Sequence, residues 1–224
     1  MTEHILVVAA HSDDEALGCG GTIARHVANG DSAFVVYLAD GVSARHEAGC
    51  EALAERTAAS EEARQVLGIE RAWALGFPDN RLDTIPLLDV VQALENVLDE
   101  VRPHRVYTHH RGDLNVDHRI AHQAVLTACR PLPGASVKAI YGFEVVSATE
   151  WNAPGGQAFE PNVFVDITAY VDTKMRALEA YQSEMRPAPH ARSMANVRHL
   201  MGLRGHSVGV DCAEAFELIR WLES

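Results

Sequence analysis

The chain has 224 residues, of which 47% are hydrophobic and 22% are charged, and its formal net charge is −12. This composition is ordinary for a globular protein and predicts a single domain over residues 1–224, without repeats or low-complexity tracts. The negative charge argues against a nucleic-acid or anionic-membrane partner, because such a surface would repel the chain and no basic patch offsets the repulsion.

The N-terminal segment predicts a strand, a helix and a second strand. Residues 5–10 form a continuous apolar run, which is typical of a strand buried on both faces of a parallel sheet. This run is too short, and too soon followed by carboxylates, for a signal peptide or a membrane span, so we expect a cytoplasmic protein. A helix over about residues 15–28 and a strand over 33–38 complete a βαβ unit.

The alternation of helix and strand patterns continues along the chain. The predicted elements are helices over about 47–67, 85–101 and 117–128, strands over 71–75 and 105–109, a further apolar run at 137–146 and a late strand at 163–167. After Thr168 the chain looks helical to its end, with breaks at Pro187 and Pro189. The pattern predicts an α/β fold, with a Rossmann-like, mostly parallel sheet covered by helices on both faces.

Polar residues follow the predicted strands where the strands end. They are residues 11–14, 39–41, 76–79 and 109–118. Because the carboxyl ends of parallel strands share one edge of a sheet, and ligands bind in the crevice there, these segments are expected to converge.

The first of these segments crowds His11, Asp13 and Asp14 into four residues. Neighbouring aspartates repel each other, and a bound cation would relieve the repulsion. Zinc accepts an imidazole and a carboxylate and would leave the second carboxylate free to act on water. Helix capping is the alternative interpretation, but it explains only one aspartate.

A catalytic zinc site usually has three protein ligands, so a further ligand is needed from another segment. The loop at 108–119 offers His109, His110 and His118, and His122 lies one helical turn further on. We select His118, because it lies at the start of a helix after a polar loop able to reach the first strand. The same donor set would also accept iron, cobalt or manganese.

The glycine-rich segment at residues 16–21, ALGCGG, has another possible meaning, a dinucleotide-binding loop. Its spacing does not match GxGxxG, and three preceding carboxylates would lie where a pyrophosphate needs amide hydrogens. Close packing of a helix against the sheet is the better interpretation.

The segment HSDDE at 11–15 followed by ALGCGG resembles the AHPDDE signature of the PIG-L and LmbE-like deacetylases, and NVDH at 115–118 resembles their second motif, HxDH. Further similarity lies at 67–69, 76–79 and 204–216, so the resemblance covers nearly the whole chain. It implies a zinc-dependent hydrolase that removes the acetyl group from an N-acetylated amino sugar or conjugate, such as a glucosaminyl-inositol compound. Oligomers occur in this family, so a homo-oligomer is one expectation.

The resemblance also assigns roles to individual residues. It makes His11, Asp14 and His118 the metal ligands and Asp13 the general base. Arg56 matches an arginine that contacts substrate in the glucosaminyl-inositol deacetylases, although an exposed helix arginine is the alternative. Asp79 and Asp113 are further candidates for contacts to sugar hydroxyls at the pocket rim.

Two positions depart from the family pattern. Ser12 replaces the usual proline, which should reduce only the rigidity of the loop. Asn115 replaces the first histidine of HxDH, and asparagine can donate to an oxyanion but cannot act as an acid. Either Asp13 moves the proton in both directions, or His110 replaces the missing histidine. The change at Asn115 is the only support for one rival function, a non-catalytic metal- or sugar-binding protein. A second rival is a Rossmann-like nucleotide-binding enzyme.

Overall fold

The computed structural model describes residues 2–44, 50–153 and 155–223. Its strands are β1 (His4–Ala9), β2 (Ser32–Ala39), β3 (Arg71–Phe77), β4 (Arg105–His109), β5 (Ala139–Phe143), β6 (Val163–Asp166) and β7 (Ala213–Trp221). Its α-helices are α1 (Asp14–Ala28), α2 (Cys50–Leu67), α3 (Leu87–Val101), α4 (Val116–Ala128), α5 (Val171–Ala180) and α6 (Met194–His206).

These strands form one mixed sheet in the order β3-β2-β1-β4-β5-β7-β6. The first five strands of that order are parallel, and β7 runs antiparallel to both of its neighbours. The predicted α/β fold with a Rossmann-like, mostly parallel sheet is therefore confirmed. The predicted helix at 47–67 begins at residues that lie outside the described part, and the described helix α2 ends where predicted.

The central strand β1 is apolar from Ile5 to its end because helices cover the sheet on both faces. Ile5, Val7 and Ala9 join one buried cluster, which α1, α2, α5 and α6 complete. Leu6 and Val8 point to the opposite face and join a second cluster with α3 and α4. This two-sided burial explains why the strand shows no alternation of polar and apolar residues. No helix within the described ranges combines the length and the hydropathy needed to cross a bilayer.

The glycines of α1 allow this helix to lie directly against the sheet and its neighbours. A Cβ atom at Gly18 would overlap the ring of Phe143, and one at Gly21 would approach Ile167 to 2.7 Å. The interpretation of ALGCGG as a packing segment is confirmed. The segment belongs to the core and not to a phosphate-binding loop.

Helix α1 is interrupted at Cys19, whose φ and ψ of −146° and 23° are not helical. A buried ion pair supports the interruption. Glu214 accepts hydrogen bonds from the backbone amides of Gly21 and Thr22, at 2.9 and 2.7 Å. Lys174 donates to Glu214 at 2.6 Å and to the carbonyl of Leu17 at 2.7 Å. The pair thus satisfies the backbone groups that the interruption leaves without helical partners.

Replacement of Glu214 by alanine should lower the free energy of unfolding by about 3–5 kcal/mol, because it leaves the buried Lys174 ammonium without a counter-charge. Urea denaturation would measure the loss. Glu100→Ala is the matched control, since Glu100 pairs with Arg71 at the exposed surface and should change stability by less than about 1 kcal/mol. Equal losses in the two variants would contradict a structural role for the buried pair.

The prediction that the chain is helical from Thr168 to its end is wrong for residues 213–221. These residues form β7, which fills the space between β5 and β6. Alanine, glutamate and leucine favour helices, but the open edge of β5 supplies backbone partners that outweigh this preference. Phe216 is fully buried there and pairs with Phe143 and Val163. Tertiary pairing, which local composition does not report, decides this element.

Candidate metal centre

Two loops meet at the carboxyl-terminal edge of the sheet because the strands that carry them are hydrogen-bonded neighbours. Strand β1 pairs in parallel with β4, so the segment after Ala9 and the segment after His109 leave the sheet side by side. The helices α1 and α4 begin from these loops. This topology brings residues 11–14 close to residue 118, although they lie more than 100 positions apart in sequence.

Three predicted ligands converge at this edge. The Nδ1 atom of His11 and the Nε2 atom of His118 each lie 3.4 Å from Oδ2 of Asp14. The ligand atoms of all three residues lie within 4.8 Å of one another, and the three side chains are buried. The structure therefore brings together the set selected from the sequence.

The spacing of these atoms suits a divalent ion. Bonds of about 2.0–2.2 Å in a tetrahedral site place neighbouring ligand atoms about 3.3–3.6 Å apart, and the observed separations of 3.4 Å agree. Within the described part of the chain, Oδ1 of Asp14 and Nε2 of His118 are buried and make no hydrogen bond. Buried polar atoms are costly when unsatisfied, so the residues fit a cation of the zinc type.

Outer carboxylates orient both imidazoles. Nε2 of His11 lies 3.1 Å from Asp117 and also 3.1 Å from Asp79, while Nδ1 of His118 lies 3.1 Å from Asp113. A carboxylate on the far ring nitrogen is the usual arrangement for a metal-binding histidine, since it fixes the tautomer and orients the ring. The nitrogens that face Asp14 are left available. This arrangement favours the set of His11, Asp14 and His118 as the metal ligands. Two other possible clusters share these histidines, namely His109 with Asp113 and His118, and His11 with Asp79 and Asp117.

Charges around the histidines favour their protonated forms when no metal is bound. Burial lowers the pKa of His118, but the charges of Asp14 and Asp113 outweigh it and raise the pKa to about 9. Burial also lowers the pKa of His11, but the carboxylates of Asp117, Asp14 and Asp79 outweigh this effect and raise the pKa well above the usual value. A metal must therefore compete with protons for both ring nitrogens.

Metal uptake at pH 7 is therefore expected to release one to two protons per ion, and the apparent affinity should rise by about ten-fold per pH unit for each proton released. The raised pKa of His118 explains why the metal affinity should increase with pH. The ring stays protonated in acid and loses its proton near pH 9. Calorimetric titration of chelator-treated protein with zinc, in two buffers of different ionisation enthalpy, counts the protons. Zinc binding without proton release at pH 7 would contradict this charge arrangement.

Asp13 occupies an unusual backbone conformation beside the metal ligands. Its φ is 133°, a region that costs a non-glycine residue about 1–3 kcal/mol and occurs mainly at functional sites. The backbone amide of Asp13 donates to Glu15 at 3.0 Å, and the hydroxyl of Tyr181 donates to the other oxygen of Glu15 at 2.7 Å. Glu15 thus holds the turn that separates the Asp13 carboxylate from Asp14.

Two arginines contact the carboxylate of Asp13. Arg56 donates to Oδ1 at 3.2 Å, and Arg192 donates to Oδ2. Burial raises the pKa of Asp13, and the charges of Arg192 and Arg56 oppose that rise without cancelling it. The result is a buried carboxylate with a higher affinity for a proton than an exposed aspartate, next to the metal-ligand cluster.

Arg56 is buried and braces the loop. It donates to the hydroxyl of Ser12 at 2.9 Å and to the carbonyl of Ser12 at 2.6 Å, and it forms an ion pair with Glu184 at 2.9 Å. The serine that replaces the family proline therefore gains a hydrogen bond that fixes the loop. The exposed alternative for Arg56 does not apply, while its contact with substrate stays a prediction.

The other predicted residues are placed as follows. Asn115 caps α4 by accepting from the amide of Asp117 at 2.8 Å, and its amide nitrogen donates to Asn80 at 3.3 Å. His110 is buried with one ring nitrogen 2.9 Å from Glu217 and the other 3.0 Å from the carbonyl of Gln157. Neither arrangement tests a catalytic role, and the roles of both residues stay predictions.

Asp79 and Asp113 were expected at the rim of a pocket, but both are buried. Asp113 accepts from the hydroxyl of Thr149 at 2.7 Å and faces His118. Asp79 faces His11 at 3.1 Å. Each carboxylate is thus directed at a metal-site histidine, because that charge compensates the burial. Their predicted contacts with sugar hydroxyls stay untested.

Sequence reasoning missed several residues of the site. Asp117 stands next to His118 in the motif, and that adjacency was a usable signal. Arg192 had none, since it lies in the proline-containing segment between α5 and α6. His109, considered and not selected, stacks on His118 with ring centroids 3.9 Å apart and accepts from the amide of Ala10 at 2.8 Å. Burial lowers its pKa, so it packs as a neutral ring beneath His118.

Comparison with known proteins places this geometry in context. Residues 6–129 match the family model PIG-L, described as GlcNAc-PI de-N-acetylase. The chain is 32% identical to YaiS of Escherichia coli, named as an uncharacterized deacetylase, over 80% of this chain and 90% of YaiS.

Two further similarities cover most of the chain. A probable N-acetyl-α-D-glucosaminyl L-malate deacetylase of Bacillus cereus is 28% identical over 82% of this chain and 84% of that protein. The N,N′-diacetylchitobiose deacetylase of Pyrococcus horikoshii superposes with a TM-score of 0.79 at 22% identity, covering 97% of this chain and 84% of that one. The latter similarity shows a shared fold.

Proposed function

Since the chain belongs to the PIG-L family of de-N-acetylases, we propose that it is a metal-dependent hydrolase that removes the acetyl group from an N-acetylated amino sugar or amino-sugar conjugate. One observation carries the proposal. The donor atoms of His11, Asp14 and His118 lie within 4.8 Å of one another, and the separate carboxylate of Asp13 lies on the same turn as Asp14. Metal ligands beside an unligated carboxylate are what amide hydrolysis by activated water requires.

His11, Asp14 and His118 would hold the ion, with zinc as the first choice and iron, cobalt or manganese as alternatives. A divalent cation in such a site supplies polarisation of the amide carbonyl and makes water acidic enough to ionise near neutral pH. The outer carboxylates Asp117 and Asp113 keep the two histidine rings oriented for this purpose.

Asp13 is the proposed general base. Its carboxylate accepts the proton from the attacking water, and its pKa, raised by burial, makes it a better acceptor than an exposed aspartate. Arg56 and Arg192 hold the carboxylate in place through one oxygen each. The same Asp13 then delivers the proton to the departing amine, since Asn115 has no acidic proton to give.

Asn115 is the proposed donor to the oxyanion. Its side-chain oxygen is committed to the cap of α4, which directs the amide nitrogen away from the helix and towards Asn80. One hydrogen of that NH₂ group remains for a substrate oxygen. Preorganised donors of this kind stabilise developing negative charge.

The substrate class follows from family membership and from the relatives. The names of two similar proteins give N-acetyl-α-D-glucosaminyl L-malate and N,N′-diacetylchitobiose as the compounds that they deacetylate. An N-acetylglucosamine linked to a further group is therefore the proposed substrate, with Arg56, Asp79, Asp113 and His110 as candidates for its polar contacts. A cytoplasmic location and a homo-oligomeric state also stay predictions.

An acetate-release assay over a panel of N-acetylated sugars and conjugates tests the function. Zinc-loaded protein should release acetate from at least one of them, and protein treated with a chelator should not until metal is restored. Absence of release from every substrate would favour the non-catalytic metal- or sugar-binding alternative. Stabilisation against heat by NAD or a nucleotide, but not by zinc, would favour the nucleotide-binding alternative.

A further inference from the structure

A half-exposed tryptophan lies two residues after Thr149, a residue that contacts the candidate metal centre. Trp151 keeps 50% of its surface accessible, and the ring of His190 lies against it edge-on, with centroids 5.7 Å apart and planes at 74°. A large rigid ring held in one orientation and left open to solvent is a feature of ligand-binding surfaces.

Trp151 is connected to the metal centre through the loop that carries it. It ends the short 3-10 helix Thr149–Trp151, whose first residue donates to Asp113 at 2.7 Å, and Asp113 lies 3.1 Å from His118. Two residues of chain extend at most about 7 Å. The Cα atom of Trp151 therefore lies within about 7 Å of that of Thr149, whose side chain contacts the carboxylate that orients a metal ligand.

The partner ring is connected to the general base from the opposite side. Nδ1 of His190 accepts from the amide of Arg192 at 3.0 Å. Arg192 donates to Asp13 and also to the hydroxyl of Ser147, at 2.7 Å for the latter. The loops that carry Trp151 and His190 are thus each linked to the site, one through Thr149 and one through Arg192, and their aromatic rings contact each other.

The depth of these residues orders any substrate from the floor to the rim. Asp13 and Asp14 form the floor and are almost fully buried. Thr149 and Arg192 lie one contact further out, and Trp151 and His190 lie beyond them. If the acetamido group of a substrate reaches Asp13 and Asp14, its own sugar ring lies at the level of Thr149 and Arg192. The next group along the molecule then lies at the rim.

We propose that Trp151, supported by His190, forms a stacking subsite for the pyranose ring attached to the N-acetylated one. A pyranose presents a face of C–H groups, which an indole covers with apolar contact while the sugar hydroxyls at the ring edge stay in water. This inference rests on the proposed function, and it narrows the substrate to an N-acetylated oligosaccharide or glycoside.

Steady-state kinetics with N-acetylglucosamine and N,N′-diacetylchitobiose test the subsite. Trp151→Ala should lower kcat/KM for the disaccharide by about ten-fold, mainly through KM, and for the monosaccharide by less than about two-fold. Trp151→Phe keeps an aromatic face and should retain most of the parent value. Trp221→Ala is the matched control, since Trp221 is 55% exposed but lies on β7 at the opposite edge of the sheet. This variant should leave kcat/KM unchanged for both substrates.

If Trp151→Ala changed kcat/KM equally for the two substrates, or for neither of them, the proposed subsite would be wrong. If the parent protein releases acetate from no sugar, the proposed function fails, and binding then decides the subsite separately. Quenching of tryptophan fluorescence by N,N′-diacetylchitobiose that disappears in Trp151→Phe and persists in Trp221→Phe would support it. Absence of quenching in the parent, or quenching that survives in Trp151→Phe, would overturn it.

Discussion

Replacing Asp13 by asparagine should lower kcat for acetate release by at least about a thousand-fold, within the range typical of general-base catalysis, while the bound metal stays at the parent level. The amide keeps the size of the carboxylate but cannot accept the proton from water. Arg56 can still donate to the remaining carbonyl oxygen, so the turn at residue 13 should survive. Acetate release and metal content, measured on the same preparation, give the two readouts.

A matched substitution elsewhere separates loss of the base from loss of an ion pair. Asp31 pairs with His26 at 2.7 Å, far from the metal centre, and Asp31→Asn should leave kcat within about two-fold of the parent. Thermal unfolding of both variants checks that each remains folded. If Asp13→Asn retained activity within a few-fold of the parent, another group would have to be the base, and the proposed mechanism would be wrong.

The sequence alone was sufficient to predict a mostly parallel sheet and the segments that meet at its carboxyl-terminal edge, because both depend on local pattern. A continuous apolar run such as β1 predicts a central strand, and parallel strands direct their carboxyl ends to one edge. The convergence of His11, Asp14 and His118 followed from that rule. The metal-ligand set could therefore be proposed before any distance was known.

Other features depend on contacts between distant segments and leave no local signal. The strand β7 has helix-favouring composition, and its place is decided by pairing with β5. Arg192 reaches Asp13 from 179 positions away, in a segment whose prolines predict only a break. Asp113 was predicted at the pocket rim because carbohydrate binding needs directional polar groups there. It is instead buried opposite His118, whose charge compensates its burial.

The position of Asp117 gives a structural role to Asn115, the residue that departs from the family motif. In this chain Asp117, and not residue 115, faces His11, while Asn115 holds the first turn of α4 through the amide of Asp117. A cap at that position fixes the direction from which His118 leaves the helix. The asparagine thus keeps the metal ligand oriented even though it cannot serve as an acid, and its presence is consistent with an active enzyme.

Loss of metal is the second large effect that we expect, for Asp14→Asn and for His118→Ala. Each change removes one donor atom from the cluster of three, so zinc affinity should fall by more than the 10- to 100-fold that is typical for removal of an outer partner, that is, by over about a hundred-fold. Acetate release should fall with the bound metal. Metal analysis after dialysis against a weak chelator would show substoichiometric zinc in both variants.

His122 supplies the control for the histidine. It lies one turn further along α4, and its Nδ1 is bonded to the carbonyl of His109 at 2.8 Å, away from the three donor atoms. His122→Ala should therefore retain one zinc per chain, because it removes an imidazole of the same helix without removing a ligand. If instead His118→Ala kept its zinc and His109→Ala lost it, His109 and not His118 would be a ligand. Both clusters that contain His118 would then be ruled out, and the assignment of His118 would be wrong. If all of these variants kept their zinc, the ion would be bound elsewhere. The proposal that Asp13 takes a proton from metal-activated water would then fail.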